Sequence, residues 1–227
     1  MKKLLATLAI TSALLAPTHA QVRITEAMSS SGSGGTADWF EVTNYGLSAV
    51  DLSGWRMDDG SFTFNSSVAL VGVTSINAGQ SIVFLETAAP LTDIPNFRTF
   101  WGTNADSITI GSYSGSGISF GSGGDSVVLF NASETEVTPR VTFGAATTGS
   151  SFYFAYDSSG NPSTSPNTNA IVSTVGLFDG QSTYTSSNAP ANIGSPGTAA
   201  TIPEPSTYAL LGFGAAFVLW RLRRRVA

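Results

Sequence analysis

Cysteine is absent from the 227-residue sequence, and its single histidine is His19. Without cysteine the chain has neither a disulfide nor a thiol nucleophile. His19 lies among the first twenty residues, so the rest of the chain has no imidazole base and no His or Cys ligand for zinc. Catalysis would have to use carboxylate, hydroxyl or arginine groups, and no cofactor is predicted.

Basic residues are scarce as well. Between residues 21 and 202 the chain has four arginines, no lysine and fourteen acidic residues, which gives this part a net charge of −10. The arginines are Arg23, Arg56, Arg98 and Arg140. A surface of this charge repels a phosphate backbone, so the sequence predicts no nucleic-acid partner.

The first twenty residues have the pattern of a secretory signal peptide. Lys2 and Lys3 precede an apolar stretch at residues 4–15, and small residues lead up to Ala20. This order of a basic, an apolar and a small-residue region is typical of a cleaved export signal. We therefore predict that residues 1–20 are a signal peptide.

Helical periodicity is hard to find between residues 21 and 202. Short β-rich runs separated by Gly, Asn, Asp and Ser clusters predominate. Two of the runs alternate in polarity, with Ile24 and Phe40 on one face and Arg23 and Glu41 on the other. The predicted strands are residues 22–27, 38–44, 53–57, 61–64, 81–86, 126–130, 137–143 and 151–156.

Turn-forming sequences join these runs, such as NYG at residues 44–46 and DDG at residues 58–60. About eight short strands with such turns indicate an all-β fold, a two-sheet antiparallel sandwich or a barrel. The predicted core residues are Ile24, Phe40, Val42, Leu52, Trp55, Phe62, Phe64, Ile82, Phe84, Val127, Leu129, Val141 and Phe143.

Several segments in this region resemble the lamin tail domain in order and spacing. The most specific is DWFEVTNYG followed by VDLSGWRMDDG, within residues 38–60, and GGDSVVLF at residues 123–130 is another. The resemblance runs over residues 22–144 and implies an immunoglobulin-like antiparallel β-sandwich. We place this domain at residues 21–157.

Residues 87–118 do not align with that family and are interpreted as an elaborated loop. The loop carries four aromatic residues that are candidate ligand contacts: Phe97, Phe100, Trp101 and Tyr113. Exposed rings there would stack on the sugar rings of a polysaccharide, whereas buried rings would close the end of the sandwich. Both interpretations are open at this stage.

Residues 158–202 are rich in Ser, Thr, Asn, Pro, Ala and Gly. This composition is typical of a loop and a flexible linker. Within it, residues 170–178 form an apolar run that is a candidate for one further strand.

The chain ends in three blocks. A Pro-Glu-Pro motif precedes the charge-free stretch at residues 206–220, and a basic end follows. The motif is Pro203, Glu204 and Pro205, and the basic residues are Arg221, Arg223, Arg224 and Arg225. Prolines are disfavoured in a helix interior, and clustered arginines stay in the cytoplasm, so the pattern predicts a transmembrane helix at residues 206–220.

Residues 203–227 resemble the PEP-CTERM sorting signal, which has the same three-part order. The resemblance implies recognition near the Pro-Glu-Pro by an exosortase, a membrane protease-transpeptidase of Gram-negative bacteria that make extracellular polysaccharide. It also implies that the helix anchors the protein in the inner membrane only until the signal is processed.

Five carboxylates in the lamin-tail-like region are the candidates for catalysis: Glu26, Asp38, Glu41, Asp58 and Asp59. A glycoside hydrolase needs two carboxyl groups at a set separation across a groove, and nothing in the sequence shows that two of these converge. Asp58 and Asp59 precede a glycine, which favours a turn, and the EF-hand pattern for calcium is absent. We therefore predict neither a metal site nor an enzyme.

Taken together, these features predict an exported, exosortase-sorted protein of the cell surface or extracellular matrix. Its β-sandwich would act as a non-catalytic interaction module. A polysaccharide-binding module that uses the loop aromatics is the first alternative, and a carboxylate-dependent hydrolase is the second.

Overall fold

A computed structural model describes residues 22–32, 36–157, 160–162, 171–173, 184–186 and 192–199. The predicted signal peptide, Pro-Glu-Pro motif, transmembrane helix and terminal arginines lie outside these residues. Within them, no helix combines the length and the apolar character needed to cross a bilayer.

Strands dominate the described chain, as predicted. They are β1 (Val22–Met28), β2 (Trp39–Asn44), β3 (Val50–Asp51), β4 (Arg56–Asp58), β5 (Val68–Ala69), β6 (Ser75–Ile76), β7 (Ser81–Glu86), β8 (Thr109–Tyr113), β9 (Asp125–Phe130), β10 (Val141–Phe143), β11 (Phe152–Tyr153), β12 (Ile171–Val172), β13 (Tyr184–Thr185) and β14 (Ile193–Gly194). The helical segments are α1 (Pro90–Trp101) and a short 3-10 turn, Gly102–Ala105.

Two sheets form the body. The six-stranded sheet has the order β12-β11-β1-β2-β7-β8, and the four-stranded sheet has the order β10-β9-β4-β5. Two short pairs, β13-β14 and β3-β6, lie beside them. The inner faces of the two sheets enclose the main core, to which Ile24, Phe40 and Phe84 contribute from one sheet and Val127 and Leu129 from the other. This arrangement confirms the all-β sandwich.

The expectation of a purely antiparallel fold is wrong at one pair, because β7 and β8 are parallel. Parallel neighbours require a crossover, and α1 provides it inside the segment that was predicted as a loop. Pro90 occupies the start of the helix, where a missing N–H costs nothing. Helix α1 buries Phe97, Phe100 and Trp101, which share one face because of their i, i+3, i+4 spacing.

The predicted strand at residues 61–64 is a turn region instead. The Asp58 carboxylate accepts hydrogen bonds from the Ser61 hydroxyl (2.7 Å) and the Thr63 N–H (2.7 Å), and Phe62 has a positive φ of 51°. Phe62 and Phe64 are consequently only partly buried, while the other predicted core residues are buried. Asp58 itself ends β4, and its carboxylate organises the turn that follows.

Two predicted strands are shorter than expected. In the run at residues 137–143, only Val141–Phe143 pairs as a strand. Pro139 lies before it and has no N–H to donate to a sheet. In the run at residues 151–156, only Phe152–Tyr153 forms a strand, although the Phe154 N–H still donates to the Thr25 carbonyl (2.9 Å).

Candidate functional site

The outer face of the six-stranded sheet has an apolar half and a polar half. The apolar half lies under α1, where the Trp39 ring meets the rings of Phe97 (6.0 Å between centroids) and Trp101 (6.1 Å) edge to face. The polar half consists of five side chains on three adjacent strands: Thr25, Glu26, Glu41, Thr43 and Ser81. We call this set the polar stripe.

A β-bulge in β1 creates the polar stripe. Ile24 pairs with Val42, but the next register pair is Glu26 with Glu41, so β1 has one extra residue. With strict alternation Glu26 would share the inner face with Ile24. The bulge turns Glu26 to the outer face and returns Ala27 to the core between the sheets. Glu26 and Glu41 thereby become neighbours on the same face.

Both carboxyl groups of this pair are buried, with 0% of each residue exposed. Burial, and secondly the charge of Glu26, raises the pKa of Glu41 to about 8. A buried carboxylate next to a second carboxylate is disfavoured in its ionised form, so the pair retains a proton at neutral pH.

Hydroxyl groups continue the stripe across the sheet. The Thr25 hydroxyl donates to Glu41 Oε1 (2.6 Å) and is itself within 3.1 Å of the Thr43 hydroxyl. Thr43 is in turn hydrogen bonded to the Ser81 hydroxyl at 2.7 Å. The stripe is therefore a connected network, which is what makes its burial tolerable.

Residues 192–198 cover the polar stripe, and we call this segment the strap. The Ser195 N–H and hydroxyl each donate to Glu26 at 2.8 Å, to Oε1 and Oε2 respectively. The Gly197 N–H donates to Glu41 Oε2. One segment thus satisfies both carboxyl groups, which lie more than 150 residues earlier in the chain.

Further bonds attach the strap to the body. The Ser151 N–H donates to the Ile193 carbonyl (2.9 Å), and the Ile193 N–H donates to the Gly149 carbonyl (2.6 Å). Asn192 is fully buried, and its side-chain oxygen accepts a bond from the Gly32 N–H (2.9 Å). The Ser151 hydroxyl also donates to Glu26 from the opposite side.

Two glycines let the strap approach closely. A Cβ at Gly194 would lie 2.8 Å from Glu26 Oε1 and 3.2 Å from the Trp101 ring. Gly197 has a φ of +87°, and a Cβ there would lie 2.6 Å from Ile108. Any larger side chain at either position would push the strap off the sheet.

The four aromatic residues considered as ligand contacts are core residues. Phe97, Trp101 and Tyr113 are fully buried, and Phe100 is 3% exposed. Phe97, Phe100 and Trp101 project from α1 and pack against the six-stranded sheet. Tyr113 belongs to the core between the two sheets. Of the two interpretations left open by the sequence, their burial agrees with the one in which they fill the fold. The strand-borne Trp39 and Trp55 are likewise buried.

A second group of carboxylates lies at one end of the sandwich, where β2 and β9 begin and β4 and β7 end. Burial, followed by the charge of Glu86, raises the pKa of Asp38 to about 7. Burial likewise raises the pKa values of Glu86 and Asp59, with a further contribution from the charge of Asp125. Among the described residues no three acidic or histidine side chains are arranged to bind a metal ion.

Sequence reasoning missed the convergence of Glu26 and Glu41. Alternation in β1 gave no sign of the bulge, and the composition of residues 192–198 indicated a linker. The glycines of the strap, Gly194 and Gly197, are a signal for close backbone packing. They do not identify which residues the strap contacts.

The sandwich architecture places the chain in a class of all-β domains built on two packed sheets. Residues 16–145 match the family model described as Lamin Tail Domain. This match covers more than half of the sequence, and the chain belongs to that family. The strap lies outside the matched residues.

Residues 201–225 match the PEP-CTERM protein-sorting motif. This motif implies processing by an exosortase and export to the surface of a Gram-negative cell. Lamin tail domains and sorting motifs are non-enzymatic domain types. No curated protein matches the chain.

Proposed function

We propose that this is a cell-surface or extracellular-matrix protein whose lamin-tail sandwich is a non-catalytic interaction module. The observation that carries the proposal is the succession of a lamin tail domain and a PEP-CTERM motif within one chain. A passenger domain followed by a sorting motif is the composition expected of an exosortase substrate. The anionic body, with its −10 charge between residues 21 and 202, favours solubility outside the cell.

The proposal extends to a transient membrane anchor. Residues 206–220 would span the inner membrane, and Arg221, Arg223, Arg224 and Arg225 would hold the end in the cytoplasm. Exosortase would then cut near Pro203, Glu204 and Pro205 and release the sandwich to the outside.

The buried carboxylate pair supports a non-catalytic role. Among the described residues, Glu26 and Glu41 are the only two acidic residues that are register partners on adjacent strands. Both have 0% exposure, and their oxygens accept bonds from Ser195, Thr25 and Gly197. A hydrolase needs its two carboxyl groups open to a substrate and a water molecule, and this pair is enclosed.

Mass spectrometry of the two ends of the protein recovered from the cell surface tests the proposal. We expect an N-terminus at Gln21 and loss of residues beyond the Pro-Glu-Pro motif. The matched variant replaces Glu204 with Ala in the full chain, and it should remain in the membrane fraction with an intact C-terminus. Wild-type protein found in the cytosol with Met1 and Ala227 both present would contradict export and sorting.

A further inference from the structure

The strap lies immediately before the sorting motif, and this adjacency has a geometric consequence. Thr198 ends the strap, and only residues 199–202 separate it from Pro203. Four residues reach at most ~14 Å when fully extended. With the strap docked, this short connection therefore starts at the outer face of the six-stranded sheet.

Undocking the strap would change this tether considerably. The seven strap residues would join the four that follow, and eleven residues reach up to ~40 Å. The position of the strap thus sets how far the motif can move from the folded body. A membrane enzyme that must enclose the motif is sensitive to such a difference, because a bulky domain close to the cleavage site obstructs its approach.

The strap itself contains no ionisable side chain, so any effect of pH on its docking must come from the groups that it covers. Within the polar stripe the strap donates hydrogen bonds to the carboxyl groups of Glu26 and Glu41, each fully buried beneath it. With one proton on the pair a single negative charge is buried, and the strap donors stabilise it. With both groups ionised, two adjacent negative charges repel each other and require water.

Few ionisable groups among the described residues lie near the pair. On the β1 and β2 side the nearby ionisable groups are Arg23, Tyr45 and Tyr156, and the Arg23 guanidinium donates to the carbonyls of Gly160 (3.0 Å) and Val22 (2.9 Å). Burial, and secondly the charge of Glu41, raises the pKa of Tyr45, so that phenol stays neutral.

On the α1 side the strap meets the side chains of Trp101 and Ile108. The charged residues on this side include Arg98 on α1 and Asp106, which follows the 3-10 turn. The Arg98 guanidinium donates to the carbonyls of Ala105, Asp106 and Ile108. Asp106 is exposed. Because the strap covers the pair, hydration of two ionised glutamates requires the strap to open.

We propose that the strap is a proton-operated latch on the sorting tail. While the Glu26–Glu41 pair holds a proton, the strap stays docked and the motif stays on a short tether. Loss of the proton releases the strap and lengthens the tether. The docking equilibrium concerns the sandwich alone, whereas its consequence for sorting rests on the proposed function.

Hydrogen–deuterium exchange of the full-length protein in detergent micelles tests the latch. Peptides that cover residues 192–198 are compared at pH 7 and pH 9, after correction for the intrinsic exchange rate. The pKa of Glu41 is about 8, so the protonated fraction falls roughly tenfold over this interval. We expect the opening of the strap to increase by about the same factor, while peptides from Asp125–Phe130 keep their protection.

The Glu41→Gln variant distinguishes an effect of Glu41 titration from a general loosening of the protein at high pH. Glutamine keeps the shape and a permanently neutral group, so its strap should remain protected at pH 9. Glu134→Gln is the matched control, because Glu134 is exposed on a turn and should leave the wild-type response intact.

Equal strap protection of the wild-type protein at pH 7 and pH 9 would overturn the latch. So would a Glu41→Gln strap that opens with pH as much as the wild-type strap does. If that variant does not fold, the wild-type comparison decides alone. Local loss of protection in the strap supports the latch, and simultaneous loss in Asp125–Phe130 contradicts it. None of these measurements involves processing, so a failure of exosortase cleavage would refute the proposed function without touching the latch.

Discussion

Glu26 and Glu41 are register partners on adjacent strands, and neither carboxyl group has any exposed surface. Two acidic side chains in this position would normally be separated by water. Here a bulge brings them together, the hydroxyl network of the polar stripe supports them from the sheet, and the strap closes over them. Several measurable properties of the protein depend on this pair.

Stability should fall as pH rises from about 4.5 to about 8. The pKa of Glu41 is raised from its ordinary 4.5 to about 8, so in this window the folded state binds more protons than the unfolded state. By linkage the free energy of unfolding then decreases with pH, by at most ~1.4 kcal/mol per pH unit for one group. Urea denaturation at a series of pH values measures this slope.

The Glu41→Gln variant should reduce that slope, whereas Glu134→Gln, at an exposed position, should not. An unchanged pH profile in Glu41→Gln would assign the dependence to other groups, among which Asp38 is the first to examine.

Asp38 should titrate close to neutral pH. Its pKa is raised to about 7, first by burial and then by the charge of Glu86. Carboxyl-carbon NMR of the labelled protein reports this titration directly. Replacing Glu86 with Gln removes the neighbouring charge and should lower the pKa of Asp38 by a measurable amount. A midpoint near 4 in the wild-type protein would contradict the burial of this group.

Removal of the strap should destabilise the sandwich strongly. A chain that ends after residue 191 loses the Ser195 and Gly197 donors to Glu26 and Glu41. Hydrogen bonds to charged groups contribute about 1.5–3 kcal/mol each, and water would replace part of this, so we expect a loss of roughly 3 kcal/mol. A chain that ends after residue 199 keeps the strap and is the control. Equal unfolding midpoints for the two would show that the strap contributes nothing.

Gly194→Ala should displace the strap, because the new methyl group would lie 2.8 Å from Glu26 Oε1 and 3.0 Å from the Ser151 hydroxyl. Overpacking of this kind costs about 1–3 kcal/mol. Gly123→Ala adds the same methyl group at a position with no atom within 4 Å, and it should be nearly neutral. Thermal unfolding of the two variants measures the difference, and similar midpoints would mean that the strap is not tightly packed.

Trp101→Ala should act through stability. The ring is fully buried against Trp39, Phe97 and Phe100, and removal of a large core side chain costs about 3–5 kcal/mol. Leu91→Ala on the same helix is the control, because Leu91 is 93% exposed and surface changes stay within about 0.5 kcal/mol. If the Trp101→Ala protein unfolds like the wild type but loses polysaccharide binding, the result would support Trp101 as a ligand contact.

The strands with regular alternation could be predicted from the sequence. Ser81–Glu86 lies where the run predicts it, and β1 and β2 are within one residue of their predicted ends. The alternation of side chains predicts these strands well because their inner face packs on the core between the sheets. Their outer face packs under α1 and the strap. It fails at residues 61–64, where the Asp58 carboxylate binds the backbone and two phenylalanines leave the core.

Helix α1 is harder to recognise for a local reason. Pro95 lies inside it, and only three residues of its apolar face are buried, so the run has the composition of a loop. Its helical form is stabilised by contact with Trp39 and the neighbouring sheet residues, which no local pattern contains. The contact between the strap and the polar stripe is also absent from any local pattern, because Glu26 and Ser195 are 169 positions apart in sequence.

That separation also orders events in time. A ribosome delivers Glu26 early and Ser195 near the end, roughly ten to thirty seconds later at ~5–20 residues per second. Until then the Ser195 and Gly197 donors to Glu26 and Glu41 are missing. The sandwich can be finished only after the strap has been made, and the strap emerges just ahead of the sorting motif.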